Sequence, residues 1–171
     1  MKDKNIVLIG MPGSGKSTCG VLLSKILYKD FVDTDLVIQQ REGKRLQQII
    51  NEKGAEAFAA TEDETVSSLE YENTVIATGG SVVCHENAMK NLARNAVIVY
   101  LRISYDGMMS RINDIGSRGI LLNEGESMRD MFEFRRPLYE KYAQITVDCE
   151  EQGIADNVDR IVKSLSETEN K

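Results

Sequence analysis

The residues Gly10-Met11-Pro12-Gly13-Ser14-Gly15-Lys16-Ser17 fill the pattern GxxxxGK[ST] at every required position. Glycines at that spacing let successive backbone N–H groups turn inward around phosphate oxygens. A helix beginning at the lysine adds its unpaired donors and its dipole to the same anion. Gly13, Ser14, Gly15, Lys16, Ser17 and Thr18 are therefore the candidate nucleotide-phosphate cradle. Lys16 is the group that reaches the β- and γ-phosphates, and Ser17 is the hydroxyl that ligates Mg²⁺. Such a loop specifies nucleotide phosphate and leaves the recipient open: GTPase, ATPase, nucleotide kinase and metabolite kinase all use it.

A second acidic element lies at Phe31-Val32-Asp33-Thr34-Asp35. Read as the end of a short strand, its period-two geometry sends Asp33 and Asp35 to one side. One carboxylate can then hold a water on Mg²⁺, the role expected of Asp33. The other, Asp35, can orient and deprotonate an acceptor hydroxyl.

The elements that must position these groups alternate. Short β-branched runs at 5–9, 31–33, 75–78, 96–101 and 144–148 read as strands. Between them, 16–27, 46–51, 56–69 and 127–142 read as helices. The first helix sets Val21, Leu22, Lys25 and Ile26 on neighbouring faces. The third has Phe58 and Leu69 as core anchors and Glu62, Asp63 and Glu64 as a solvated face. The fourth is capped by Ser127 and interrupted by Pro137. The tail, 164–171, is polar and expected to fray. Alternation of this kind predicts an α/β fold, a parallel sheet with helices on both faces.

Composition bounds the partners. With 171 residues, 42% of them apolar, one core suffices, and folding buries roughly 70% of the unfolded chain's surface. The expectation is a single domain over residues 1–171. A net charge of 21 − 27 = −6 offers no broad basic footprint for nucleic acid or an anionic membrane. The first apolar run, Ile6 to Ile9, is far shorter than a membrane span or a signal core. Cys19, Cys84 and Cys149 form no CxxC pair and read as small packed side chains. The single histidine, His85, reads as a surface or loop residue rather than a metal ligand. A reducing, cytoplasmic setting and a monomer are the matching expectations.

Taken together, these landmarks resemble the shikimate kinase family over residues 5 to about 163. The phosphate loop and Asp33-Thr34-Asp35 resemble the family's loop and DxD element, and Gly79-Gly80 resembles the glycine-rich turn beneath its acceptor. Arg111 resembles the adenine-stacking arginine. Arg118, within a lid at about 113–124, resembles the arginine that folds over the transferred phosphate. Arg135-Arg136-Pro137-Leu138-Tyr139 matches R-x-P-L-Y, whose arginine grips the substrate carboxylate.

The resemblance implies a P-loop NTPase three-layer sandwich of the nucleoside-monophosphate-kinase-like type, with a five-stranded parallel sheet flanked by helices and a mobile lid. It further implies ATP with Mg²⁺, and phosphoryl transfer to a small hydroxylated metabolite, with shikimate as the leading acceptor. In site terms, Lys16, Asp35 and Arg118 would be catalytic, and Gly13 to Thr18 with Arg111 and Arg118 would bind ATP. Asp35, Gly79, Gly80 and Arg135 would bind the acceptor.

Three positions depart from the family's pattern. Its F-R-x-x-E run is here Phe58-Ala59-Ala60-Thr61-Glu62, its third glycine is Ser81, and its lid R-P-L is Arg118-Gly119-Ile120. A charge-assisted hydrogen bond contributes about 1.5–3 kcal/mol, so Ala59 should weaken carboxylate binding unless another group replaces the arginine. Homoserine, a gluconate-like polyol, a nucleotide, or a regulatory role with decayed catalysis are the competing readings of an altered acceptor half.

Overall fold

A computed structural model of the chain describes residues 3–115, 119–149 and 153–169. Among these, five strands form one sheet in the order β2-β3-β1-β4-β5, with every neighbouring pair parallel. The strands are β1 (Asn5–Ile9), β2 (Asp30–Asp33), β3 (Thr74–Ala77), β4 (Ala96–Arg102) and β5 (Ile145–Asp148). The helices are α1 (Lys16–Leu27), α2 (Thr34–Glu42), α3 (Leu46–Lys53), α4 (Ala55–Ser67), α5 (Glu86–Ala93), α6 (Tyr105–Ile115), α7 (Met128–Tyr142) and α8 (Ile154–Glu169). A 3-10 turn, Val82–Cys84, precedes α5.

Strand character follows position. β1 lies between β3 and β4, is covered on both faces, and is buried at every residue. β5, at an edge, alternates buried and exposed. Central register pairs Val7 with Ile76 on one side and with Ile98 on the other. The main core fills the space between this sheet and α1, α5, α7 and α8. A separate small cluster of Ile38, Ile49, Phe58 and Leu121 joins α2, α3 and α4 to the segment after residue 119.

Three expectations need correction. α1 buries Lys16, Cys19, Gly20, Leu23 and Ser24, while Val21, Leu22 and Ile26 are 45%, 41% and 48% exposed. The phosphate loop sets that rotation: Lys16 must face inward, and the helical period then takes residues three, four, seven and eight further on with it. Gly20 serves the same face, because a Cβ there would stand 2.5 Å from Cε2 of Phe31. α7 runs through Pro137 to Tyr142 without a break. It is opened, as expected, by Ser127, whose Oγ accepts from the Asp130 N–H while Asp130 Oδ2 accepts from the Ser127 N–H. The C-terminal residues are helical to Glu169 rather than frayed, since Val158, Ile161 and Leu165 make one buried stripe along α8.

Candidate active site

The loop from Gly10 leaves the C-terminal end of β1 and enters α1 at Gly15, which has the left-handed φ of +90°. No side chain caps α1, so the N–H groups of its first turn are left for an anion. Lys16 is buried, and its ammonium donates to the carbonyls of Gly10 at 2.8 Å and Met11 at 2.9 Å and lies 3.4 Å from Ser14 Oγ. Burial lowers its pKa to about 8, opposed by the nearby charges of Asp35 and Asp33.

The acidic pair is built differently from the strand-end reading. β2 stops at Asp33, which is the N-cap of α2: its Oδ1 accepts from the Asp35 N–H at 3.0 Å. Its other oxygen, Oδ2, accepts from Ser17 Oγ at 2.6 Å. Asp35 therefore stands in the first turn of a helix, and helix geometry, not strand alternation, turns it toward the loop. Its carboxyl is raised to about 7, first by desolvation and then by Asp33 and Glu62, against the pull of Lys16. Ser17 and Asp33 together supply hard oxygen donors beside the phosphate cradle, the donor chemistry that suits Mg²⁺.

Thr34, between the two aspartates, has a structural task that the sequence reading missed: its Oγ1 accepts from the Gly79 N–H at 3.1 Å. This bond fastens the Gly79-Gly80 turn to α2. Thr78 ties the same turn to β1, through N–H and hydroxyl bonds to Leu8 O. Tyr139 of α7 donates its hydroxyl to Gly80 O at 2.6 Å. A side chain at 79 would have to displace both carboxyls, since a Cβ would stand 2.6 Å from Glu62 Oε1 and 2.7 Å from Asp35 Oδ1. At 80 a Cβ would meet Pro12 of the phosphate loop at 3.1 Å and Arg135 Nη1 at 3.6 Å. Phosphate loop, acidic pair, glycine turn and Arg135 thus converge.

The phosphate loop, Asp35 and Gly80 line one cleft of about 270 Å³, whose walls include Gly13, Gly15, Lys16, Ser17, Thr18 and Thr78. Gly119 and Ile120 complete its rim, with the Gly119 N–H donating to Gln47 Oε1 of α3 at 3.2 Å. Arg135 is buried on α7 and donates to Leu121 O at 2.6 Å. Arg111 lies behind the loop, donating to Gly13 O at 3.3 Å and to Cys149 O. Arg118 lies outside the described residues, as does part of the expected lid.

Three side chains were read wrongly from sequence. Glu62 is buried, not solvated, and its Oε2 is 2.8 Å from His85 Nε2. His85 is accordingly a partner of the site's interior rather than a free loop residue. The available signal was spacing: Glu62 follows the core residue Phe58 by four and shares its face. Asp63 also leaves the solvated face. Its Oδ1 accepts from the Ala88 N–H and Ser67 Oγ, and its Oδ2 from Asn87, which outweighs desolvation and holds the carboxyl low. Cys19 and Cys149 are buried with thiols pushed up by desolvation, Cys149 to about 12, whereas Cys84 is exposed. Among the described residues there is no cluster of three or more His, Cys, Asp and Glu able to hold a metal, and no helix long and apolar enough to cross a membrane.

Comparison with known proteins meets this geometry. The shikimate kinase family model matches residues 12–166. This chain belongs to the shikimate kinase family. It is 34% identical over 169 residues to the shikimate kinase of Vibrio cholerae, covering 97% of each chain. It is 35% identical over 170 residues to that of Thermodesulfovibrio yellowstonii, covering 98% of each. Among solved structures, the Acinetobacter baumannii shikimate kinase in complex with shikimate superposes with a TM-score of 0.87 at 26% identity, over 98% of this chain and 96% of that one. The Aquifex aeolicus enzyme gives 0.79 at 35% identity, over 95% and 96%. The expected fold, a parallel five-stranded P-loop sheet flanked by helices, is the one found, and membership makes the chain a small-molecule kinase that transfers phosphate to an alcohol.

Proposed function

We propose that this chain transfers the γ-phosphoryl group of ATP to a hydroxyl of shikimate, giving shikimate 3-phosphate. The observation that carries the reading is that the phosphate loop, Asp35 and Gly80 line one cleft, with Gly79 set against Asp35 and Arg135 beside Gly80. The N–H groups of residues 13–18 and the Lys16 ammonium bind the phosphates and stabilise the charge that spreads over the transferred group. Mg²⁺, when bound, would supply charge neutralisation to the nucleotide phosphates. Ser17 would hold it directly and Asp33 through water, in keeping with their shared hydrogen bond.

Asp35 orients the acceptor hydroxyl and takes its proton, for which a carboxyl raised to about 7 is a suitable base. Arg135 pairs with the acceptor's carboxylate as a planar two-pronged donor. Arg111 serves the nucleotide from behind Gly13, and Arg118 would be delivered from the lid to the transferred phosphate. The chain acts as a monomer in the cytoplasm, on small molecules and on neither nucleic acid nor membrane.

A competition experiment tests the reading. Enzyme, ATP and Mg²⁺ are mixed with equal shikimate, homoserine, gluconate and nucleoside monophosphate, and the products are identified by ³¹P NMR. Shikimate 3-phosphate should form first and dominate; another phosphorylated acceptor in its place overturns the assignment.

A further inference from the structure

Glu62 is a carboxylate with 1% of its side chain exposed, and burial of such a group without a partner is strongly unfavourable. Among the described residues, the hydrogen-bonding partner of Glu62 is His85, at 2.8 Å from Oε2. Position 59 lies one turn earlier on the same face of α4, where a side chain can reach residue 62, but Ala59 offers a methyl group. The hydrogen-bonding partner that could have come from this helix must come from elsewhere.

His85 is well held for that purpose. Its N–H donates to Val82 O at 3.0 Å, its carbonyl accepts from the Met89 N–H at 3.0 Å, and its ring is only 13% exposed. It is therefore fixed at both ends, to the 3-10 turn that follows Gly79-Gly80 and to α5. The two oxygens of Glu62 then divide their tasks. Oε2 faces the imidazole, while Oε1 faces Gly79, beside Asp35 Oδ1. Asp35 from α2, Cys84 from the turn and Tyr139 from α7 feel the charge of Glu62, and Asp63 of α4 feels that of His85.

We propose that His85 is a positioning residue for the acceptor: it anchors Glu62 across the gap left by Ala59, so that Glu62 Oε1 and Asp35 Oδ1 stay together against the acceptor turn. The inference rests on the shikimate reading where the acceptor is concerned. His85 is not among the residues that line the cleft, so its loss should act through Glu62 on acceptor binding and leave the phosphate cradle alone.

The test measures KM for shikimate and for ATP separately in wild type, His85→Ala, His85→Gln and the double variant His85→Ala/Ala59→Arg. In His85→Ala, KM for shikimate should rise about tenfold or more, the worth of a charge-assisted hydrogen bond, with KM for ATP within twofold and kcat falling less than KM rises. His85→Gln, which keeps a donor, should recover most of the loss. Arginine at 59 should also recover it, by reaching Glu62 from one turn away. An unchanged shikimate KM in His85→Ala, an equal loss toward both substrates, or failure of both glutamine and arginine to rescue overturns the proposal.

Because His85 is the single histidine of the chain, its ring ¹⁵N resonances can be followed without assignment ambiguity. They should shift in Glu62→Gln at constant pH; no shift overturns the pairing. If wild type ignores shikimate altogether, the functional reading fails, and this second measurement still decides the pair.

Discussion

Asp35, the base in the proposed transfer, carries a stability cost. Its carboxyl is raised from 3.8 to about 7, chiefly by desolvation, and it sits between Asp33, Glu62 and the Lys16 ammonium. Asp35→Asn keeps the size and removes the charge. It should lower kcat ~10²-fold or more, the usual contribution of a positioned base, while KM for ATP changes little. The same substitution has an opposite effect on the fold. A raised pKa means that the folded chain holds this proton more tightly than the unfolded chain. Stability therefore falls as pH rises from about 4 through about 7, and the full loss is present above that window. Thermal unfolding of ligand-free protein should show Asp35→Asn more stable than wild type at pH 8, with the difference vanishing toward pH 4. A lower Tm for the variant at pH 8 contradicts the assignment of Asp35 as a desolvated carboxylate crowded by Asp33 and Glu62.

At the scale of elements, the acceptor side hangs on a cluster of its own. Phe58 of α4 packs with Ile38, Ile49 and Leu121, and the carbonyl of Leu121 accepts the Arg135 hydrogen bond. Phe58→Ala removes a buried ring, which typically costs about 3–5 kcal/mol of stability. Steady-state kinetics below the lowered Tm should show KM for shikimate rising more than KM for ATP, since β1 and α1 are packed in the other, larger core. Equal rises would mean that the two clusters do not separate the two substrate sites. Gly79→Ala acts at closer range. The new methyl would collide with Glu62 Oε1 and Asp35 Oδ1, so kcat/KM for shikimate should fall at least ~10-fold while ATP binding, measured by calorimetry, persists. The starts of β1 and α1 were legible in the sequence, because an unbroken apolar run, a glycine loop and a helical period leave little freedom. The rotations of α1 and α4 were not. Lys16, held by the Gly10 and Met11 carbonyls of its own loop, sets the first, and the contact of Glu62 with the distant His85 sets the second.

Over the whole molecule, strand order does the assembly. Placing β3 between β1 and β2 sets the Gly79-Gly80 turn between the phosphate loop and the acidic pair, all at the C-terminal ends of parallel strands. The presence of five parallel strands was legible from their alternation with helices, whereas the order 2-3-1-4-5 is a matter of long-range pairing that no local pattern encodes. The phosphate loop and the start of α1 were legible as a motif, since they lie within Gly10 to Thr18. The acceptor half draws on α2, α4, β3, the 3-10 turn and α7, and its Thr34, Glu62, His85 and Tyr139 contacts emerged only from the fold. Ala59 makes this half the one on which the account stands or falls. The decisive measurement is the rate of ADP release at saturating Mg²⁺ and ATP, with and without shikimate, in wild type and in Lys16→Ala. The account predicts saturable, shikimate-dependent release in wild type and its abolition in a still-folded Lys16→Ala; ADP release that is indifferent to shikimate, or that survives loss of the lysine, would contradict it.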